Sequence, residues 1–418
     1  MSSWSDSCIW WHVYPLGFTG APVRPTEAER VLTPRLDALE PWLDYLIALG
    51  ANGLALGPVF TSETHGYDTV DFYSIDPRLG DDAAFDRLIA ACRRRGINVM
   101  LDGVFNHVGT GHPRFRAALD GDTQAQALFR LEHTDDGLTH QDFEGHRGLA
   151  ALNHDSDAVA ELVADVMRHW LRRGAAAWRL DAAYAVPPEF WARVLPRVRE
   201  EFPESWFMGE VIHGDYADIV TRSGMDSVTQ YELWKAVWSS LLDENFFELD
   251  WCLKRHNELL STFTPMTFIG NHDVTRIASK IGDAKAALAA VIQFTVGGIA
   301  SIYYGDEQAF RGTKTERFGG DDEVRPAFPA TPEQLSPLGA PMLRLYQDLI
   351  ALRRRNPWLT NATTVSRNLD NCAYSYDTVG PEGQRLVVEL RLEPTPAAVV
   401  TAPDGQVLRI GGDADSDQ

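Results

Sequence analysis

Along most of the 418 residues, short apolar runs rich in β-formers alternate with longer amphipathic segments, and this rhythm restricts the fold more than any other feature. "CIWWHVYP" precedes the helical "LTPRLDALEPWLDYLIALG", which Gly50 is placed to cap. "ANGLALGPVF", "DDAAFDRLIAACRRRG" and "INVMLDGVFNH" follow. Past residue 152, "SDAVAELVADVMRHWLRRG" leads to "AAAWRLD", and "PPEFWARVLPRVREEF" leads to "SWFMGEVI". "GMDSV", "MTFIGNHD" and "GIASIYYGDE" are the remaining strand candidates, separated by "QYELWKAVWSSLL" and "DAKAALAAVIQFTVG". The count is about eight strand–helix units, the number that closes a parallel barrel. Strands covered by helices outside and packed in layers inside are apolar on both faces, as these are.

The fold class predicted is therefore α/β, a (β/α)8 barrel over residues 1–107 and 153–357. The polar, Gly-rich stretch 108–152 breaks the rhythm and reads as a small domain inserted after strand 3. From 358 to 418 the texture changes to "CAYSYDTV", "RLVVELRL", "AAVVTA" and "QVLRI", with turn residues between. That predicts a small antiparallel β domain, with "GDADSDQ" as a disordered tail.

In a parallel barrel, polar residues at the C-terminal ends of strands converge on one face, where chemistry occurs. Strand 3 is expected to end in Asp102, Asn106 and His107, strand 4 in Arg179 and Asp181, strand 5 in Glu210, and strand 7 in Asn271, His272 and Asp273. An Asp after a strand is by itself commonly a helix cap, and a lone Glu there is commonly a solvated edge. Their recurrence at equivalent positions is what departs from chance. Crowded carboxylates and histidines are costly unless used.

Two carboxylates with a third nearby suit glycosidic bond cleavage, one attacking the anomeric carbon while the other protonates the leaving oxygen. Arg179 and Asp181 are two apart on one strand, so both side chains point the same way and the cation is expected to keep Asp181 ionised. Glu210 leaves the apolar "WFMG" with no cation close in sequence, so its pKa is free to rise, as a proton donor requires.

Charge narrows the partners. With 38 basic and 59 acidic residues the net charge is −21, which disfavours phosphate backbones and anionic lipid. The expected partner is a neutral oligosaccharide, with no nucleic acid and no membrane; a homo-oligomer stays open. Four scattered cysteines and an N-terminus without a basic, then apolar, leader read as a cytoplasmic protein.

"DGVFNH", "WRLD", "GEV" and "FIGNHD" occur in this order and resemble the four signature regions of the α-amylase family of retaining glycoside hydrolases. "GPVFTS", "HGYDTVDFYSIDPRLG" and "GIASIYYGDE" agree, so the resemblance spans roughly residues 8–360. It implies a barrel with a small domain after strand 3 and a C-terminal β-sandwich. It also implies that Asp181 is the nucleophile, Glu210 the general acid/base and Asp273 the third carboxylate, gripping hydroxyls of the sugar left of the cleaved bond. Arg179 matches the arginine that orients the nucleophile. His107 and His272 match histidines bonding the same sugar, Tyr67 a tyrosine stacking beneath it, and Asp102 a buried supporting aspartate. Asp68 and Arg325 look like the pair that grips a terminal glucose in oligosaccharide-preferring members.

"AWRLDAAYAVPPEFW" and "GEVIHGDYADIV" look more like the neopullulanase and cyclomaltodextrinase branch than the secreted α-amylases. Departures are the missing Lys-His pair after Asp181, the short insert, and Ile212 where that branch often has Trp. No cofactor is required by this reading; Asn106 matches a calcium ligand only if a calcium site exists. The activity implied is hydrolysis of α-glucosidic bonds in short α-glucans. A glucosyl transferase or isomerase using the same intermediate is the alternative, and a non-catalytic sugar-binding relative is a further one.

Overall fold

The computed structural model describes residues 4–135 and 137–412. From residue 413 the tail expected to be disordered lies outside the described residues. Eight parallel strands are present: β1 (Trp10–Val13), β2 (Gly53–Leu56), β3 (Asn98–Gly103), β4 (Ala177–Leu180), β5 (Trp206–Gly209), β6 (Ser227–Val228), β7 (Met266–Thr267) and β8 (Ile299–Tyr303). The chain divides into two compact units, one of Val13–Leu43 and Leu54–Val228, the other of Met1–His12, Asp44–Gly53 and Thr229–Gln418.

In the first unit the strands run in the order β6-β5-β4-β3-β2. Register sets the chemistry, because Arg179 of β4 lies opposite Asp102 of β3, and Leu180 lies opposite both Gly103 and Gly209. The ladder extends one residue past the strands, with Asp181 N donating to Gly103 O at 3.0 Å and Glu210 N to Leu180 O at 2.9 Å. Both carboxylates are thus fixed by backbone bonds at neighbouring strand ends. Helix α1 (Asp157–Arg172) buries Val159, Val163, Met167 and Trp170 at helical spacing. Trp170 packs on Phe60 at 5.0 Å and donates Nε1–H to Phe72 O at 2.8 Å, so its indole is both buried and satisfied.

After β3 the chain forms a three-stranded antiparallel sheet from His107–Gly109, His146–Ala151 and Asp142–Phe143, with two short helices and a hairpin, Leu131–Thr134 against Gly137–His140.

In the second unit the order is β1-β8-β7. Between β6 and β7 stand two helices, α2 (Tyr231–Leu242) and α3 (Phe247–Leu260); the second falls outside the rhythm read from sequence. Helices α4 (Ile277–Thr295) and α5 (Ala340–Arg355) follow. Strand β7 is only two residues long, so Asn271 and the turn residues His272 and Asp273 stand in the loop beyond it rather than at its end. Gly270 accounts for part of this: a Cβ there would lie 2.1 Å from Asp306 Oδ2, so the backbone passes hard against a buried carboxylate. The C-terminal strands are β9 (Thr363–Leu369), β10 (Ala373–Val379), β11 (Arg385–Arg391), β12 (Ala397–Thr401) and β13 (Val407–Gly411), antiparallel neighbours in that order. They make one five-stranded sheet, where the family resemblance implies a sandwich. Among the described residues no helix is long and apolar enough to cross a membrane.

Candidate active site

Arg179 organises the first unit's polar cluster. Its Nη1 lies 2.7 Å from both oxygens of Asp102 and 3.0 Å from Asp181 Oδ1. Its Nη2 lies 2.6 Å from Glu210 Oε1. All four side chains are buried. One guanidinium therefore holds three carboxylates, a geometry that follows from the register and from the alternation that aims Arg179 and Asp181 alike. The second Glu210 oxygen accepts from Ala182 N at 3.2 Å. Ala182 has a φ of 46°, a left-handed conformation that costs a non-glycine residue about 1–3 kcal/mol and recurs at working sites.

No cation stands close to Glu210 in sequence, but the fold brings Arg179 to it from the neighbouring strand, where sequence distance cannot reveal it. The expectation for Asp181 is corrected. Burial pushes its pKa well above the usual carboxylate range, the Arg179 guanidinium pulls back, and Glu210 and Asp102 add to the rise. Three carboxylates thus gather on one cation.

Tyr67 donates its hydroxyl to Asp102 Oδ2 at 3.1 Å, and the Arg179 guanidinium lies 5.9 Å from its ring centroid. His107 Nε2 donates to the Tyr67 carbonyl at 2.9 Å, which leaves Nδ1 to accept from Asn106 Nδ2 at 3.0 Å. Burial, the main cause, lowers the His107 pKa to about 4, so the ring is neutral near pH 7. Phe143 of the insert stacks on this ring at 4.8 Å. Asp68 is buried and accepts from the Thr64 hydroxyl. Asn106 spends its amide nitrogen on His107, and no group of three or more His, Cys, Asp or Glu is placed to hold a metal among the described residues.

Two contacts escaped the sequence reading. Tyr184, three residues past Asp181, donates its hydroxyl to Glu144 of the insert at 2.8 Å, and its ring lies 5.1 Å from that of His213, three residues past Glu210. Tyr184 was not singled out; it follows Asp181 in a segment noted only for lacking the Lys-His pair. Glu144 and Phe143 carried no signal, because an irregular insert has no period to read.

The second unit gathers His272, Asp273 and Arg325. Asp273 Oδ2 lies 2.9 Å from His272 Nε2, and its Oδ1 lies 2.8 Å from Arg325 Nη2. Arg325 Nε donates to the His272 carbonyl at 2.9 Å, and Nη2 also meets Asp321 at 3.2 Å. Asn271 donates to the Tyr231 hydroxyl at 2.8 Å, while its Oδ1 accepts from Asp273 N at 2.9 Å, which fixes the turn. Behind it, Arg276 joins Asp306 at 2.9 Å.

The alpha amylase catalytic-domain model matches residues 35–141 and 132–336, and the chain belongs to this family. It is 27% identical over 390 residues to the maltogenic alpha-amylase of Bacillus acidopullulyticus, covering 86% of this chain and 64% of the relative. It is 28% identical over 406 residues to a Bacillus cyclomaltodextrinase, covering 89% and 71%. Neopullulanase 2 of Thermoactinomyces vulgaris is 30% identical over 349 residues, covering 80% and 58%. The chain thus spans between 58% and 71% of the length of these curated relatives.

Among solved structures, a ligand-free cyclic maltosyl-maltose hydrolase of Arthrobacter globiformis superposes with a TM-score of 0.80 at 24% identity, covering 98% of this chain and 100% of that one. A cyclomaltodextrinase superposes at 0.78 and 26% identity, covering 93% and 70%. The fold class is the (β/α)8 barrel of the family, with a C-terminal antiparallel sheet.

Proposed function

We propose that the chain is a retaining glycoside hydrolase that cleaves α-glucosidic bonds in short α-glucans. The observation that carries this reading is the single guanidinium spanning Asp181 and Glu210. One cation holds the two carboxylates that double displacement needs, and family membership supports the retaining course. Family membership and likeness to a cyclomaltodextrinase, a neopullulanase and a maltogenic amylase support the substrate class.

In this reading Asp181 Oδ attacks the anomeric carbon as Glu210 gives its proton to the departing glycosidic oxygen. The bond to the leaving sugar breaks and a glycosyl–Asp181 ester forms. Glu210, now ionised, takes a proton from water, whose oxygen displaces Asp181 and returns the anomeric configuration. Arg179 stabilises the carboxylate that is charged at each stage. Asp273, positioned by His272 and Arg325, serves as the third carboxylate. Tyr67, Asp68, Asp102, His107, His272 and Arg325 serve substrate binding or its support. A cytoplasmic location fits the unpaired cysteines and the likeness to an intracellular maltogenic amylase of Bacillus subtilis.

Transfer to a sugar instead of water is the second reading. The Tyr184–Glu144 hydrogen bond and the His213 ring favour it, offering an ordered polar and aromatic surface next after the catalytic strands. A product profile decides between them. Maltotriose, maltodextrin, isomaltose, trehalose, sucrose and cyclodextrin are offered, and products are separated over time. Glucose or maltose from short α-glucans is expected, and Asp181→Asn reduces the rate by at least about a thousandfold. Rearranged sugars without net hydrolysis would establish transfer. Near-normal turnover by Asp181→Asn would remove the nucleophile assignment.

A further inference from the structure

The two edges of the C-terminal sheet, β9 and β13, are built differently. Strand β9 shifts register between Ser366 and Asn368 and carries Arg367. It is also closed by Asn257 of α3, whose Nδ2 donates to Thr364 O at 2.8 Å and whose Oδ1 accepts from Thr364 N at 2.9 Å. A bulge, a charge and a covering side chain are devices that keep an edge from pairing with another chain. Strand β13 instead pairs with β12 without any register shift. Ala402 N donates to Gln406 O, so in step with that register Leu408 and Ile410 turn their backbone groups to β12, while Val407 and Arg409 turn theirs away. Among the described residues no side chain bonds the backbone of β13.

Beside this open edge lies a groove of about 470 Å³, walled by Leu408 and Ile410 of β13, Ala284 of α4, and Met342 and Leu345 of α5. Leu338 borders it and is 89% exposed. An apolar groove with an apolar side chain standing in water beside it gains by being covered. The rim charges identify the cover. Arg344, Asp348 and Arg409 are exposed and, among the described residues, unpaired, and Asp283 meets Arg311 at 2.7 Å. On a chain of net charge −21, copies repel wherever acid dominates, so a patch of balanced charge is where a second copy approaches at least cost. A two-fold interface also requires one patch to complement itself. Two arginines with two aspartates do so, and so does a projecting leucine beside a groove. We propose that β13 is the association edge for a second copy of this chain. The two β13 strands pair antiparallel across a two-fold axis, and Leu338 of each copy enters the groove of the other.

Sedimentation velocity on the full chain, from about 1 to about 100 µM, tests this pairing. A reversible dimer is expected with a Kd of about 1–50 µM, since one short strand and one groove make a modest interface. Leu338→Asp and Arg409→Pro should each raise Kd at least about tenfold; the proline removes an outward amide and leaves the ladder to β12 intact. Val365→Asp, at a residue 53% exposed on the closed edge, should leave Kd within about twofold. Hydrogen exchange at the Val407 and Arg409 amides should slow as concentration rises. A monomer at every concentration would overturn the proposal, as would a dimer that neither Leu338→Asp nor Arg409→Pro weakens. A monomer that pairs only once residues 413–418 are removed would give the edge to the chain's own tail and overturn it too.

Discussion

Arg179 and Arg325 are both buried arginines that hold carboxylates, yet they do so in different media. The partners of Arg179 are Asp102, Asp181 and Glu210, whose side chains are 0%, 9% and 8% exposed. Arg325 holds Asp273 and Asp321, 34% and 31% exposed. Around Arg179 charges attract and repel with little screening, and burial pushes the Asp181 pKa well up. Around Arg325 water screens the pairs, and the same bonds position a side chain without strongly changing its chemistry. The first arrangement suits proton and bond transfer; the second suits gripping a substrate.

Substitution separates the two. Arg179→Met leaves three carboxylates buried without a cation, so it should cost about 3–5 kcal/mol of stability and remove activity to below about a thousandth. Arg325→Met should cost about 1 kcal/mol and act mainly on KM, since Asp273 keeps His272 and access to water. Equal losses of Tm in the two variants would break the comparison.

A smaller effect concerns Glu307, which is fully buried, accepts from Tyr45 and from Gly305 N, and has its pKa raised to about 7, chiefly by burial. A raised carboxyl contributes stability that is fully present below the unfolded pKa of about 4.3 and is lost as pH rises through about 7. The wild type should therefore lose stability relative to Glu307→Gln between those values, read as a Tm difference that changes with pH. A constant difference would show that Glu307 does not titrate there.

The barrel was legible because strands apolar on both faces alternate with amphipathic helices, and Gly50 and Gly96 do end helical segments with positive φ. Asp102, Arg179, Asp181 and Glu210 were legible because each stands at or just past the end of an apolar run. The bond from Arg179 to Glu210 was not, since it depends on how β4 and β5 align, which leaves no mark in either segment. Asp273 was assigned to a strand end, and the short β7 leaves it in a turn. Glu144 reaches Tyr184 from an insert without periodicity, so no residue pattern announced it.

The central claim is that Glu210 supplies the proton to the leaving group while Asp181 supplies the bond. Comparing Glu210→Gln on a natural α-glucan and on an aryl α-glucoside with an acidic phenol tests it most directly. A loss of about a thousandfold or more is expected on the glucan, and at least about tenfold less loss on the aryl substrate, which needs no proton. Equal losses on both substrates would contradict it.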